Sequence, residues 1–152
     1  MATYQKRSKN NLEFEVNVDG LTIKEVESAR LLGIVLSNNF SWETQVQQTL
    51  EKCSQRLNGL YKVNKELDRS EKKKLAESAI VSRIRYAIEV VSSGSESIMN
   101  RLQSMQSKVA RFILGQTRRD WSQSQGFQEL NWLSMAQIAV ELSLKMFFKV
   151  IR

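Results

Sequence analysis

The side chains with the clearest chemical signal in this sequence are basic. The 152 residues include 23 Lys and Arg against 16 Asp and Glu, a net charge of +7. A basic surplus of this kind is typical of domains that contact nucleic acid, although solvated surfaces are also often basic. Outside a basic N-terminal arm at residues 1–11, we interpret nine residues as candidate phosphate contacts: Lys72, Lys73, Lys74, Arg83, Arg85, Lys108, Arg111, Arg118 and Arg119.

Lys72, Lys73 and Lys74 lie near the start of a predicted helix. Cations there oppose the helix dipole at a cost of about 0.3–1 kcal/mol each, so their presence favours a phosphate-facing role. The free N–H groups of a helix N-terminus also bind phosphate. The alternative is a solvated face on which Lys73 pairs with Glu77, four residues away.

Other residue types exclude several kinds of chemistry. There is no His, which excludes Ser-His-Asp and Cys-His triads and His-ligated metal sites. The lone Cys53 excludes an internal disulfide and a multi-cysteine zinc site, and it favours a reducing intracellular compartment, nuclear or cytoplasmic. The three Asp are widely spaced, so we predict no metal site, no cofactor and no catalytic residue.

The first part of the chain has the alternation of β-strands. Apolar residues alternate with polar ones over residues 12–18, and Asp19-Gly20 separates this run from residues 21–26. Asp-Gly between alternating segments predicts a hairpin with a type I′ turn. Residues 30–36 are apolar almost throughout, which predicts a third strand buried on both faces. We therefore expect a short antiparallel β-meander over residues 12–37.

The remaining residues, 38–152, have helical periodicity. A first helix is predicted from Trp42, capped by Ser41, to about Leu67, and a second one is capped by Ser70. After a linker at residues 92–97, a third helix ends at Gly115, and a loop follows over residues 116–126. The inner stripes are predicted to hold Val46, Leu50, Cys53, Leu57, Leu60, Leu75, Ala76, Ala79, Ile80, Ile84, Ala87, Ile88, Val91, Ile98, Leu102, Met105, Val109, Phe112 and Ile113.

A last helix is predicted after Ser134, which forms a capping box with Gln137. Its inner stripe is expected to continue through Ile138, Leu142, Lys145 or Met146, and Val150. The helix is apolar around too much of its circumference for one stripe, which predicts either a larger core or an exposed surface for a protein partner or a second copy, made by Met146, Phe147, Phe148 and Ile151. Because this helix is still apolar where the sequence stops, we also expect a longer natural polypeptide.

These elements predict an α+β fold that is mainly α, with a short N-terminal antiparallel β-meander followed by a bundle of about four helices. Trp42 and Trp132 are expected to pack in it, whereas Trp121, beside Arg118 and Arg119, either packs or contacts a partner or a base. No apolar run reaches the roughly 18 residues of a transmembrane helix, and no signal peptide is evident.

Five segments, taken in order, resemble LINE-type (non-LTR) retrotransposon reverse transcriptases. Residues 29–42, ARLLGIVLSNNFSW, are similar to the Leu-Gly segment that leads from the palm into the thumb, and residues 17–23 resemble the preceding hairpin. Residues 80–87 resemble a helix of the family with a Ser and a Tyr-Ala pair. Residues 102–115 resemble a helix with spaced Gln, Arg and Gly, and residues 130–134 resemble a Leu-x-Trp-Leu element.

The resemblance implies the end of the palm, with its primer-grip hairpin, and a thumb that lies along a template–primer duplex. It therefore implies binding of an RNA–DNA or DNA duplex through backbone phosphates. The catalytic Asp-Asp motif of the family is absent from this sequence, so we expect no polymerase activity. The alternative is a domesticated transposable-element remnant that serves as a protein–protein interaction or oligomerising module.

Overall fold

The computed structural model describes residues 15–31, 33–39, 41–91 and 96–151. The predicted basic arm, residues 12–14 of the predicted first strand and residues 92–95 of the predicted linker lie outside these ranges. The chain divides into two compact units, and the boundary falls between Ser41 and Trp42. One unit consists of strands and the other of helices, in agreement with an α+β fold that is mainly α.

The first hairpin pairs β1 (Glu15–Val18) with β2 (Leu21–Lys24) in antiparallel register. Asp19 and Gly20 have φ values of 51° and 82°. A type I′ turn requires positive φ at both central positions, so the turn predicted from Asp-Gly is confirmed.

The segment predicted as one buried strand folds back on itself as a second hairpin. It forms β3 (Ser28–Leu31) and β4 (Ile34–Ser37), joined around Gly33 at φ +83°. The prediction of a single strand over residues 30–36 is wrong because glycine adopts positive φ without steric cost and reverses the chain there. The described strands therefore form two separate two-stranded sheets, and within these strands only Val35 is buried.

The helical unit follows the predicted order, with two elements that were not predicted. Its helices are α1 (Glu43–Lys62), α2 (Arg69–Ala76), a π-helical turn (Glu77–Val81), α3 (Ser82–Val91), α4 (Glu96–Leu114), α5 (Gln123–Leu130) and α6 (Met135–Ile151). The π-turn joins α2 to α3 in one continuous helical run. The prediction of a loop over residues 116–126 is wrong for its last four residues, because α5 begins at Gln123.

Helix α4 lies at the centre of the core. It packs against α1, α2, α3, α5 and α6, and all six apolar positions predicted for its inner stripe are buried. In α1, Val46, Cys53 and Leu57 of the predicted stripe are buried, and Leu50 and Leu60 are half-buried against the core. In the second predicted helix Ala79 is half-buried, and Leu75 is wrongly predicted because its side chain is 41% exposed.

The helix ends show which predicted caps are correct. Ser134 and Gln137 exchange backbone–side-chain hydrogen bonds before α6, as the capping box requires, and Gly115 ends α4 with φ +64°. Two predicted caps are wrong. The N-cap of α1 is Trp42 with no side-chain cap bond, and the N-cap of α2 is Asp68 instead of Ser70.

Helix α6 is covered only over its first turns. Ile138 is buried and Leu142 is half-buried, but Met146 and Val150 are 61% and 85% exposed. The predicted inner stripe is therefore wrong beyond Leu142. Among the described helices, none combines the length and apolar character needed to span a bilayer.

Candidate nucleic-acid interface

Three helix ends meet at one end of the bundle. The ring of Tyr61, near the end of α1, lies edge-on to Phe112, near the end of α4, with 4.8 Å between centroids. From α2, the Lys72 ammonium lies 6.0 Å from the centre of the same Phe112 ring. These contacts place Lys72 beside the last turn of α4, which carries Arg111.

Further basic residues continue along α4 and into the loop after it. Lys108 is exposed one turn before Arg111, and residues three apart are neighbours on a helix surface. The backbone N–H of Gln116 donates to the Arg111 carbonyl at 3.0 Å, and the exposed Arg118 and Arg119 follow. We call five residues the bundle-end cluster, defined by their elements: Lys72 on α2 beside the end of α4, Lys108 and Arg111 on the last turns of α4, and Arg118 and Arg119 in the loop after it.

The cations of the bundle-end cluster form no ion pair with a described residue. One carboxylate of the loop after α4 and one of α5 have other partners. Asp120 accepts a hydrogen bond from the Thr117 hydroxyl at 2.5 Å, and Glu129 pairs with Arg69 at 2.7 Å. The positive charge of the cluster is thus left available to an external anion.

The N-terminus of α2 carries a capping box of two carboxylates. The Asp68 carboxylate accepts from the Glu71 N–H at 2.8 Å, and the Glu71 carboxylate accepts from the Asp68 N–H at 2.9 Å. The two carboxylates occupy two of the N–H groups at this helix start and place negative charge there, which disfavours the phosphate contact expected from free N–H groups. Lys74 lies about 200° around the helix axis from Lys72, which separates it from the cluster.

Two predicted phosphate contacts have intramolecular partners instead. The Lys73 ammonium lies 3.8 Å from Glu77, which also accepts a hydrogen bond from the Trp132 indole N–H at 2.8 Å. Arg85 lies 3.4 Å from Glu141, whose other oxygen accepts from Lys145. The hydrogen bond and charge of Lys145, with the charge of Arg85, hold the pKa of Glu141 below its ordinary value.

These ion pairs border an open cleft of about 560 Å³ between α3, α4 and α6. At its base, the fully buried Gln106 amide donates to the Leu133 carbonyl at 2.9 Å. The charged residues that line the cleft are all paired: Glu77 with Lys73, and Arg85 with Glu141, which also pairs with Lys145. The Gln106 and Arg85 contacts therefore join the start of α6 and the segment before it to α3 and α4.

Arg83, at the start of α3, and Arg56, on α1, form a second basic site, since the charges of both act on Cys53 between these helices. The Arg56 guanidinium donates to the Ala79 carbonyl at 2.7 Å, and the Ser82 hydroxyl donates to the Ser78 carbonyl at 2.6 Å. The widened turn alters the usual helical hydrogen bonding, and these side chains bind its carbonyls. Arg56 was not predicted, because its contact depends on how α1 packs against the π-turn.

Cys53 lies beneath this second site and is fully buried, as predicted for a structural thiol. Burial raises the pKa of Cys53 to about 11, while the positive charges of Arg83 and Arg56 act in the opposite direction. The thiol therefore stays protonated at neutral pH and is a poor nucleophile.

The three Trp side chains pack within the helical unit. Trp121 is half-buried, with its ring edge-on to Phe127 at 5.9 Å, and it lies so close to Gly126 that an added Cβ would fall 2.3 Å from the ring. Trp42 and Trp132 also pack against the core, as predicted. Of the two alternatives for Trp121, the structure shows packing.

The residues predicted to bind a protein partner are all exposed on α6. Met146, Phe147, Phe148 and Ile151 have 61% to 66% of their surface accessible. Over the described ranges, no group of three or more Cys, Asp and Glu is placed to hold a metal ion.

Comparison of the chain with protein-family models, with curated proteins and with solved structures finds no match in any of the three.

Proposed function

We propose that this chain is a nucleic-acid-binding module that holds the phosphates of a duplex with the bundle-end cluster. The observation that carries the proposal is the meeting of α2, the end of α4 and the following loop. It places Lys72 beside the last turn of α4, which carries Arg111 and leads into Arg118 and Arg119, and these cations have no carboxylate partner among the described residues.

The chemistry of these side chains suits backbone phosphates. Arg offers two parallel N–H donors to a phosphate, and Lys offers a flexible point charge. Contacts of this type position a protein on nucleic acid without reading bases, so binding should tolerate any sequence. If all five residues of the cluster bind phosphates, a plot of the logarithm of the binding constant against the logarithm of the salt concentration should have a slope of about −4 to −5.

The resemblance to reverse transcriptase thumbs supports the same proposal, since a thumb lies along a template–primer duplex. It also limits the activity that we propose. Nucleotidyl transfer needs paired carboxylates that hold two metal ions, and the sequence has only three widely spaced Asp. We propose a module that binds a duplex without extending it.

The decisive experiment measures fluorescence anisotropy of a labelled RNA–DNA hybrid, titrated with the chain at several salt concentrations. The variant Arg118→Gln/Arg119→Gln should weaken binding and reduce the salt slope by about two. The control Lys145→Gln/Lys149→Gln removes the same charge from α6 and should retain most of the affinity. Absence of binding at low salt, or equal loss in both variants, would overturn the proposal.

A parallel titration with DNA duplex and with single strands tests the preference for duplex. Tighter binding to single strands would contradict duplex binding through the cluster while leaving nucleic-acid binding itself intact. Incorporation of nucleotides by the purified chain, measured by primer extension, would contradict the non-catalytic part of the proposal.

A further inference from the structure

Helix α6 carries a second apolar face opposite the one that packs on the bundle. Val140, Leu144, Phe147 and Ile151 are 59%, 53%, 61% and 65% exposed. Because successive residues turn by about 100°, these four lie within a narrow row, roughly opposite the packed row of Ile138 and Leu142. We call this exposed row the α6 seam.

The spacing of the α6 seam is that of paired helices. Its members follow one another at intervals of four, three and four residues, which is the a/d pattern of a coiled coil. A single-sided amphipathic helix needs no such second row. The charged residues of α6, Glu141, Lys145 and Lys149, lie outside the seam, so pairing would not bury a charge there.

We propose that the α6 seam binds the α6 seam of a second copy of this chain, with the two helices antiparallel. A two-fold axis near Lys145 and Met146 makes the row self-complementary. Leu144 then packs against Phe147 of the second copy, and Val140 against Ile151 of the second copy. Each layer joins an a position to a d position, as antiparallel coiled coils do, and the same patch serves both copies, as a two-fold interface requires.

The exposed area matches the needs of a dimer better than those of a monomer. Phe147 is 61% exposed, and an aromatic side chain has about 150–250 Å² to bury. With the aliphatic members of the seam, the row offers several hundred Å², toward the roughly 800 Å² per partner of a standard interface. Antiparallel packing also sets the two helix dipoles in opposite directions.

The first test is the mass of the chain in solution without nucleic acid, so that its outcome is independent of the proposed function. Sedimentation equilibrium over a wide concentration range should give masses that approach twice the 17.6 kDa of one chain. A chain that stays monomeric, including one that binds lipid vesicles instead, would overturn the dimer.

Adjacent residues provide a matched pair of variants. Phe147 and Met146 are both 61% exposed, but Phe147 lies in the seam and Met146 lies on another side of the helix. Phe147→Lys should make the chain monomeric over the same concentrations, whereas Met146→Lys should still dimerise. Circular dichroism should show unchanged helix content in both variants, because neither position is buried. Dissociation of both variants, or of neither, would overturn the assignment of the interface to the seam.

Cysteine cross-linking tests the direction of the helices. In the antiparallel dimer, Val140 meets Ile151 of the second copy, whereas the two Val140 are about 16 Å apart along the axis. A disulfide requires Cα atoms within about 7 Å. Mixed Val140→Cys and Ile151→Cys chains should therefore cross-link on mild oxidation, and Val140→Cys alone should not. The reverse result would overturn the antiparallel arrangement; the native Cys53 is buried and should not interfere.

Discussion

At the scale of single residues, the environment of Cys53 shows how packing sets the chemistry of a side chain. Its position on the apolar stripe of α1 is visible in the sequence, and its complete burial agrees with that position. The raised pKa has a cause that the sequence does not show, namely the loss of solvation between α1 and the π-turn.

The raised pKa predicts a loss of stability at alkaline pH. The pKa of Cys53 is about 11 in the folded chain, against 9.0 for an ordinary thiol, so unfolding releases a proton between these values. The free energy of unfolding should be unaffected by this group below pH 9 and should fall as the pH rises toward 11. The full loss is on the order of 2–3 kcal/mol.

Chemical denaturation at a series of alkaline pH values, performed on the native chain and on Cys53→Ala, measures this contribution. Lys and Tyr lose protons in both proteins, so the difference between the two isolates Cys53. That difference should shrink above pH 9. A difference that stays constant up to pH 11 would show that the thiol ionises normally in the folded chain.

At the scale of elements, the start of α2 depends on a reciprocal pair of carboxylates. Asp68 and Glu71 are three residues apart, and each accepts a hydrogen bond from the backbone N–H of the other. The same spacing is present in the sequence, but Ser70 was predicted as the cap. Asp68 takes the position because its backbone is extended, with φ −73° and ψ 172°, whereas Ser70 lies inside the helix.

Replacing the two residues separately should distinguish them. Asp68→Ala removes an N-cap acceptor and should lower the free energy of unfolding by about 1 kcal/mol. Ser70→Ala should leave it within about 0.5 kcal/mol, because Ser70 is exposed and Ala favours helix. Urea denaturation at neutral pH measures both, and Asp68→Asn should retain most of the native stability. A larger loss from Ser70→Ala would contradict the observed cap.

At the scale of the whole molecule, burial differs sharply between the two units. Helix α4 contributes nine buried residues to the core of the helical unit. In the other unit, β2 and β3 are exposed throughout, and β1 is exposed except at Val16, whereas the four residues of β4 are buried or half-buried. Isolated two-stranded hairpins are marginally stable in water.

This contrast predicts the order of amide hydrogen exchange. Amides in the buried centre of α4, from Leu102 to Ala110, should exchange slowest, because their opening requires unfolding of the helical unit. Amides of β1 and β2 should exchange many times faster. Mass-spectrometric exchange at neutral pH measures both; equal protection of the first hairpin and α4 would contradict the difference in stability.

The candidate site was predictable in its residue types and not in its grouping. A sequence shows that Lys73, Arg85 and Arg111 are basic, but not which of them meets a carboxylate. Lys73 pairs within its own helical run, where spacing alone suggests the partner, whereas Arg85 pairs with a residue of a distant helix. Cations remain available to phosphate only where packing brings no carboxylate to them, and packing is a property of the whole fold.

The sequence by itself determined the features that depend on neighbours along the chain. Helical periodicity placed the buried stripes of α1 and α4, and local hydrogen bonding placed the type I′ turn and the cap of α6. Only the tertiary structure decided that Gly33 reverses the chain, that a π-turn joins α2 to α3, and that α6 keeps an exposed apolar row. Most local features arise from interactions within a few residues. The apolar run over residues 30–36 is compatible with one strand or with a hairpin at Gly33, and the structure decides between them, whereas the exposed row of α6 depends on which surfaces the rest of the helical unit covers.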